Sequence, residues 1–145
     1  MIPCFVISLP DSSDRRQSIS HTLNKLGISF EFLDAVDGRS GLDPTYESQV
    51  DRHAALRTWG LLSDTEFACA LSHINTYRRI VAEDIPYALV LEDDASPLPT
   101  ILDFLNGEHY RDVDLTQLDL RYPTFVQKGG SNISFGIMRL ICVHQ

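Results

Sequence analysis

One stretch constrains this chain more than any other: Tyr87-Ala88-Leu89-Val90-Leu91-Glu92-Asp93-Asp94. Five apolar residues run directly into three carboxylates. The run is short, contains Tyr and Val, and follows Pro86, a pattern that predicts a buried strand interior to a parallel sheet. Unpaired charge is too costly to continue such a strand, so the acids are expected to emerge at its carboxyl end. Open α/β sheets bind their ligands at that end. Three adjacent anions repel and hold on to protons unless a cation neutralises them. A hard divalent ion bound through oxygen suits them, and magnesium or manganese commonly shares such a site with phosphate. The competing reading is a solvated acidic turn before Ser96-Pro97.

The chain's 145 residues suffice for one domain with a real core. Apolar residues at 43% and charged residues at 22% describe ordinary globular material. A formal net charge of −8 opposes broad, nonspecific contact with nucleic acid or an anionic membrane. It leaves room for an anionic small substrate where local cations line the site. Cys4, Cys69 and Cys142 are odd in number and far apart, and the first two sit within apolar patterns. Free thiols in a reducing, cytoplasmic setting are therefore expected, without a disulfide framework. Met1-Ile2-Pro3-Cys4 lacks the basic and apolar regions of a signal peptide, and no apolar run reaches membrane-spanning length.

Before the acidic stretch, the chain alternates strand and helix patterns. Cys4 to Leu9 predicts a first strand, stopped by Pro10. Asp11-Ser12-Ser13-Asp14 supplies N-cap residues, and Ile19, Leu23 and Leu26 recur at helical spacing up to Gly27. Arg15 and Arg16 fall in the first turn, where cations oppose the helix dipole, so they are expected to serve something else, such as a diphosphate. Solvated surface arginines are the plainer alternative. Ile28, Phe30 and Phe32 alternate with polar residues, predicting a second strand that ends in Leu33-Asp34-Ala35-Val36-Asp37-Gly38. Asp34 and Asp37 are candidates for a ribose or base edge, or simply parts of a turn closed by Gly38. Residues 39 to 60 read as a long loop holding a short helix from Glu47 to Leu56.

Ser63-Asp64-Thr65-Glu66 is a capping box, opening a helix whose apolar stripe runs through Phe67, Leu71, Ile74 and Val81. Ser72 and His73 are neighbours on it, pointing about 100° apart. His73 is either a contact for a substrate hydroxyl or phosphate or a hydrogen-bonded structural residue. Beyond the acids, Pro99 to Leu105 predicts a short helix, Asp114 to Leu120 a fourth strand, and Ile133 to Val143 a β-like run. The order β-α-β-loop-α-β-α-β-β implies a three-layer α/β domain over residues 1–145, with a mostly parallel mixed sheet. Ser8, Asp34 to Asp37 and Glu92 to Asp94 then all lie at strand carboxyl ends and can share one crevice. No G-x-G-x-x-G follows the first strand and no P-loop is present. A phosphoacceptor receiver domain would carry its acid pair after the first strand, where this chain has Pro10-Asp11.

Four blocks together resemble glycosyltransferase family 25. They are Val6-Ile7-Ser8-Leu9 with Asp14-Arg15-Arg16; Phe30 to Gly38; Glu66 with Cys69-Ala70-Leu71-Ser72-His73; and Tyr87 to Asp94. They span about the first two thirds of the chain, and after Tyr122 no further block matches. The resemblance implies a GT-A type nucleotide-sugar fold, a UDP-galactose donor, manganese (or magnesium), and a lipooligosaccharide or lipopolysaccharide sugar acceptor. It implies that Glu92-Asp93-Asp94 stands where the family has its D-x-D-like metal motif. Under it, Asp94 ligates the metal, and Glu92 joins it at the metal or contacts ribose or a metal-bound water. Ser8, Arg15, Arg16, Asp34, Asp37 and Asp93 line the nucleotide sugar, while Ser72 and His73 face the sugar or acceptor. No catalytic base is assigned. The implied setting is the cytoplasm, extending to peripheral association with the inner face of the cytoplasmic membrane. The alternative is a nucleotide-sugar-binding domain without transfer activity.

Overall fold

The computed structural model describes residues 2–108, 110–111, 116–118 and 138–139. Its centre is a parallel three-stranded sheet ordered β2-β1-β3, formed by Cys4–Ser8 (β1), Glu31–Asp34 (β2) and Leu89–Glu92 (β3). Phe5 pairs with Glu31 and Ser8 with Asp34 on one side of β1, and Cys4 with Leu89 and Ile7 with Glu92 on the other. All three strands therefore end at one rim, carrying Ser8, Asp34 and Glu92.

Helix α1 (Ser13–Lys25) leads from β1 to β2, and α4 (Asp64–Ala82) precedes β3. The two cover opposite faces, and the strand pleat determines which residue meets which helix. Cys4, Val6, Leu89 and Leu91 pack with Ile19 and Leu23 of α1 and with Ile101 and Phe104 of α5 (Thr100–Asn106). Phe5, Ile7, Ala88 and Val90 pack instead with Ile80 and Tyr77 of α4. This is the expected three-layer α/β architecture. Val6, Leu89, Val90 and Leu91 are fully buried, and each such aliphatic side chain contributes about 1.5–3 kcal/mol relative to exposure.

The strand that runs into the acids is the one expected inside the sheet. β1 is interior, but β3 is an outer strand of the described sheet. Its apolar character comes from the helical layers on both faces, which bury alternate residues whether or not a further strand pairs with it. A separate two-residue antiparallel ladder joins Gln117–Leu118 (β4) to Met138–Arg139 (β5), within the two late stretches expected to be extended. Apart from Thr116, the remainder of those stretches, and Cys142, lie outside the described residues.

Local chemistry explains the boundaries. The capping box is formed: Ser63 Oγ accepts from the Glu66 amide at 3.3 Å, and Glu66 Oε2 accepts from the Ser63 amide at 2.8 Å. The C-terminus of α1 is a Schellman motif. The Gly27 amide donates to Asn24 O and the Ile28 amide to Leu23 O, with Gly27 at φ +69°. That motif draws buried Ile28 onto the α1 core, so the second strand starts at Glu31 instead of Ile28. The long loop holds two helices where one was expected, Pro44–Glu47 (α2) and Arg52–Trp59 (α3). Asp43 and Asp51 cap them through hydrogen bonds to the amides of Thr45 and Ala54. Gly38 lies where the segment after β2 presses on α4, and a Cβ there would meet Asp64 O at 2.4 Å.

Candidate active site at the strand carboxyl ends

The chain leaves β1 toward β2 on one side, and β3 sits on the other, so β1 and β3 flank a topological switch point. The three acids reach the rim there and separate. Glu92 continues the parity of Ala88 and Val90 and meets α4; Asp93 continues that of Leu89 and Leu91 and meets α1. Ala95 N donates to Glu92 O at 3.1 Å, closing a turn that leaves Asp94 exposed. The trio is not one mutually repelling cluster, because its first two members have their own partners on opposite faces of the sheet.

Asp93 is buried at 8% exposure. Its Oδ2 accepts from Ser8 Oγ at 2.7 Å, and its Oδ1 pairs with Arg15 Nη1 at 3.2 Å. Arg16 works beside it. Its Nε donates to Ser8 Oγ and Leu9 O, and its Nη2 to Ser8 O and to Asp34 Oδ1 at 2.7 Å. Its guanidinium lies over the Phe32 ring, 4.7 Å from the centroid. The unfavourable position of both cations in the first turn of α1 thus has a structural reason. Arg16 satisfies the carbonyls where β1 ends and ties β1 to β2, while Arg15 neutralises Asp93. Arg15 remains half exposed at the rim.

Asp37 has a different arginine from Asp34 as its partner. Arg39 grips it with Nε and Nη2, and the same Nη2 reaches Asp11 at 2.8 Å. The Arg39 hydrogen bonds hold the Asp37 carboxyl down to about 2. Ser72 is buried in α4, its hydroxyl donating to Ala68 O at 2.7 Å and accepting from the Val36 amide at 2.8 Å. It fastens α4 to the segment after β2, with both hydrogen bonds internal.

His73 faces the rim. Its Nε2 lies 3.1 Å from Glu92 Oε1 and its Nδ1 3.2 Å from the Tyr77 hydroxyl. Burial works against a charged ring here, but hydrogen bonds and charges from Cys69 and Glu92 outweigh it and raise the pKa to about 9. Cys69 and Tyr77 were not among the residues the sequence singled out for a site. Their spacing from His73, four residues on either side, places all three on one helical face, which is the signal that could have found them. A cleft of about 150 Å³ between α3 and the start of α4 is lined by Arg52, Leu56, Leu61 and Phe67 among others, and by none of the candidate site residues.

The parallel sheet thus gathers Ser8, Arg15, Arg16, Asp34, Glu92, Asp93 and Asp94 on one polar rim at a switch point, the place where open α/β sheets bind ligands. The family model described as "Glycosyltransferase family 25 (LPS biosynthesis protein)" matches residues 1–125, and the chain belongs to that family. Among its relatives is the lipooligosaccharide biosynthesis protein lic2B of Haemophilus influenzae, 30% identical over 127 residues, covering 84% of this chain and 46% of the relative. The lacto-N-neotetraose biosynthesis glycosyltransferase LgtB of Neisseria meningitidis serogroup B is 34% identical over 89 residues, 61% of this chain and 31% of the relative. The inactive glycosyltransferase 25 family member 3 of Mus musculus is 33% identical over 101 residues, 62% of this chain and 16% of the relative. The chain thus spans less than half the length of these relatives.

Proposed function

We propose that this chain is the donor-binding part of a glycosyltransferase of GT-A type, which moves a hexose, galactose by preference, from a UDP-sugar to a sugar of a lipooligosaccharide or lipopolysaccharide acceptor. The observation that carries the reading is the juxtaposition, at one switch point, of a half-exposed Arg15 with Asp93 and the exposed Asp94. The names of the relatives supply the acceptor class.

Each residue has a task that follows from its surroundings. Ser8, Asp93 and Arg16 fix the rim, so that a donor meets a preformed surface. Arg15 is the cation able to turn from Asp93 to a diphosphate oxygen, for which a guanidinium fork is well shaped. Glu92, oriented by His73, is suited to a ribose hydroxyl or a metal-bound water. Asp34 lies at the adjacent strand end for the nucleoside. His73 is held by Glu92 and Tyr77 on the side assigned to the transferred sugar or the acceptor.

The donor set suits a divalent ion. Asp94 is an exposed carboxylate without an ion pair among the described residues, and carboxylate oxygens are the ligands manganese and magnesium prefer. Bound there, with Asp94 as ligand and Glu92 beside it, the ion would neutralise charge on the departing diphosphate. No helix among the described residues is long and apolar enough to cross a membrane. Action in the cytoplasm, peripheral to the inner membrane face where the acceptor is presented, belongs to the same proposal.

A second reading, donor binding without transfer, is favoured by one comparison, the similarity to a relative named inactive. UDP release from UDP-galactose with manganese, assayed with and without truncated lipooligosaccharide, separates the two. Acceptor-dependent release supports transfer. Binding of UDP-galactose without release supports the second reading, and failure to bind any UDP-sugar overturns both.

A further inference from the structure

Cys69, His73 and Glu92 offer a sulfur, a nitrogen and an oxygen that all lie within 4.8 Å of one another. This set differs in chemistry from the all-oxygen site proposed for the donor's metal. We propose that it binds a borderline-soft divalent ion, zinc being the natural occupant, through Cys69 Sγ, His73 Nε2 and Glu92.

Three observations carry the assignment. The first is the ligand set: thiolate, imidazole and carboxylate are the three side-chain types zinc takes, and three protein ligands leave a fourth position for water. The second is geometry. Bonds of about 2.0 Å to nitrogen and 2.3 Å to sulfur put tetrahedral ligand atoms roughly 3.3–3.7 Å apart. His73 Nε2 and Glu92 Oε1 are already 3.1 Å apart, and no pair among the three ligand atoms exceeds 4.8 Å, a spread that side-chain rotation can close. Cys69 and His73 are fixed by one helical turn of α4, and Glu92 by the last residue of β3, which is rigid support on two elements. The third is the outer contact. A zinc-bound imidazole almost always directs its other nitrogen to an oxygen, and His73 Nδ1 lies 3.2 Å from the Tyr77 hydroxyl. His73 is buried, whereas Cys69 and Glu92 are partly exposed, so the site has both a firm wall and a way in. Binding releases the Cys69 thiol proton and any proton on His73. Cys4 cannot compete, because burial pushes its thiol up to about 12.

Zinc here would hold Glu92 away from a donor and so lower transfer. That consequence rests on the proposed function, but the binding does not. The test is therefore binding by the tag-free, metal-free 145-residue protein. Zinc is titrated against a chromophoric chelator, and cobalt is used as an optical substitute. One equivalent of zinc is expected, weakened by at least about 100-fold in Cys69→Ser and by about 10-fold in Tyr77→Phe, the size typical of losing an outer-shell partner. Cobalt should give a near-ultraviolet thiolate charge-transfer band, present in wild type and in Cys142→Ser. The absence of one-to-one binding by wild type overturns the proposal, as does a band that disappears in Cys142→Ser. Unchanged zinc affinity in a folded Cys69→Ser does the same. If Cys69→Ser does not fold, the wild-type, Cys142→Ser and Tyr77→Phe measurements decide. Zinc binding without any transferase activity would count against the proposed function alone.

Discussion

Ser8 Oγ donates to Asp93 Oδ2 at 2.7 Å, joining residues 85 apart in the chain. The bond ties the end of β1 to the turn after β3 at the switch point, and both partners are buried. Replacing Ser8 by Ala leaves a buried carboxylate oxygen short of a donor. Ser8→Ala is expected to cost about 1–3 kcal/mol, the usual penalty for an unsatisfied buried group. Urea unfolding followed by circular dichroism measures it, and a midpoint equal to wild type would show that the bond does not hold the rim.

Asp94 should behave in the opposite way. It is exposed and has no ion pair among the described residues, while Asp93 and Glu92 are partnered elsewhere. Asp94→Asn is expected to leave the stability of the metal-free protein within about 0.5 kcal/mol of wild type. The same change should weaken manganese-dependent UDP binding in calorimetric titration, because it removes a charged oxygen ligand. Equal UDP affinities for the two proteins would sink the assignment of Asp94 to the metal.

Gly38 is a packing requirement. A Cβ at that position would stand 2.4 Å from Asp64 O and 2.8 Å from Ala68 Cβ, both on or beside the helix backbone. Neither can swing aside as the end of a flexible side chain could. Gly38→Ala should therefore destabilise by about 1–3 kcal/mol, the typical cost of overpacking. Its thermal midpoint is the check, and a midpoint at or above wild type would mean that the segment after β2 does not seat on α4 as described.

The capping box gives a pH dependence with a definite sign. Hydrogen bonds from the Ser63 amide and hydroxyl hold the Glu66 carboxyl below its ordinary value of 4.5. A group whose pKa is lowered on folding adds stability that is present above its unfolded pKa and is lost as pH falls through the folded one. Wild type should thus lose more stability than Glu66→Gln between about pH 6 and about pH 3. Parallel melting curves for the two proteins across that range would contradict the cap. Comparing the two isolates Glu66 from Asp37, Glu31 and Glu47, whose carboxyls are also held low by arginines.

Sequence alone carried much of the fold, because the signals concerned are local. An apolar run, a capping box and a glycine in the left-handed region each act within a few residues, so β1, α1, α4 and the chain's α/β order were legible. Glu92 to Asp94 could be placed at a strand end for the same reason, since charge cannot stay in a buried strand. The directions of those acids could not be read, because they depend on which helix covers which face. Pleat parity sends Glu92 to His73 on α4, and Asp93 to Ser8 on β1 and Arg15 on α1, a separation visible only once the layers are assembled. The same holds for Arg16, whose partners lie on β1 and β2, and for β3, whose outer place in the described sheet could not be read from its apolar run. Sequence by itself determined the elements and the chemistry available at their ends. Tertiary packing decided which charges meet, because hydrogen bonds and ion pairs act over a few ångströms that only the folded chain brings together.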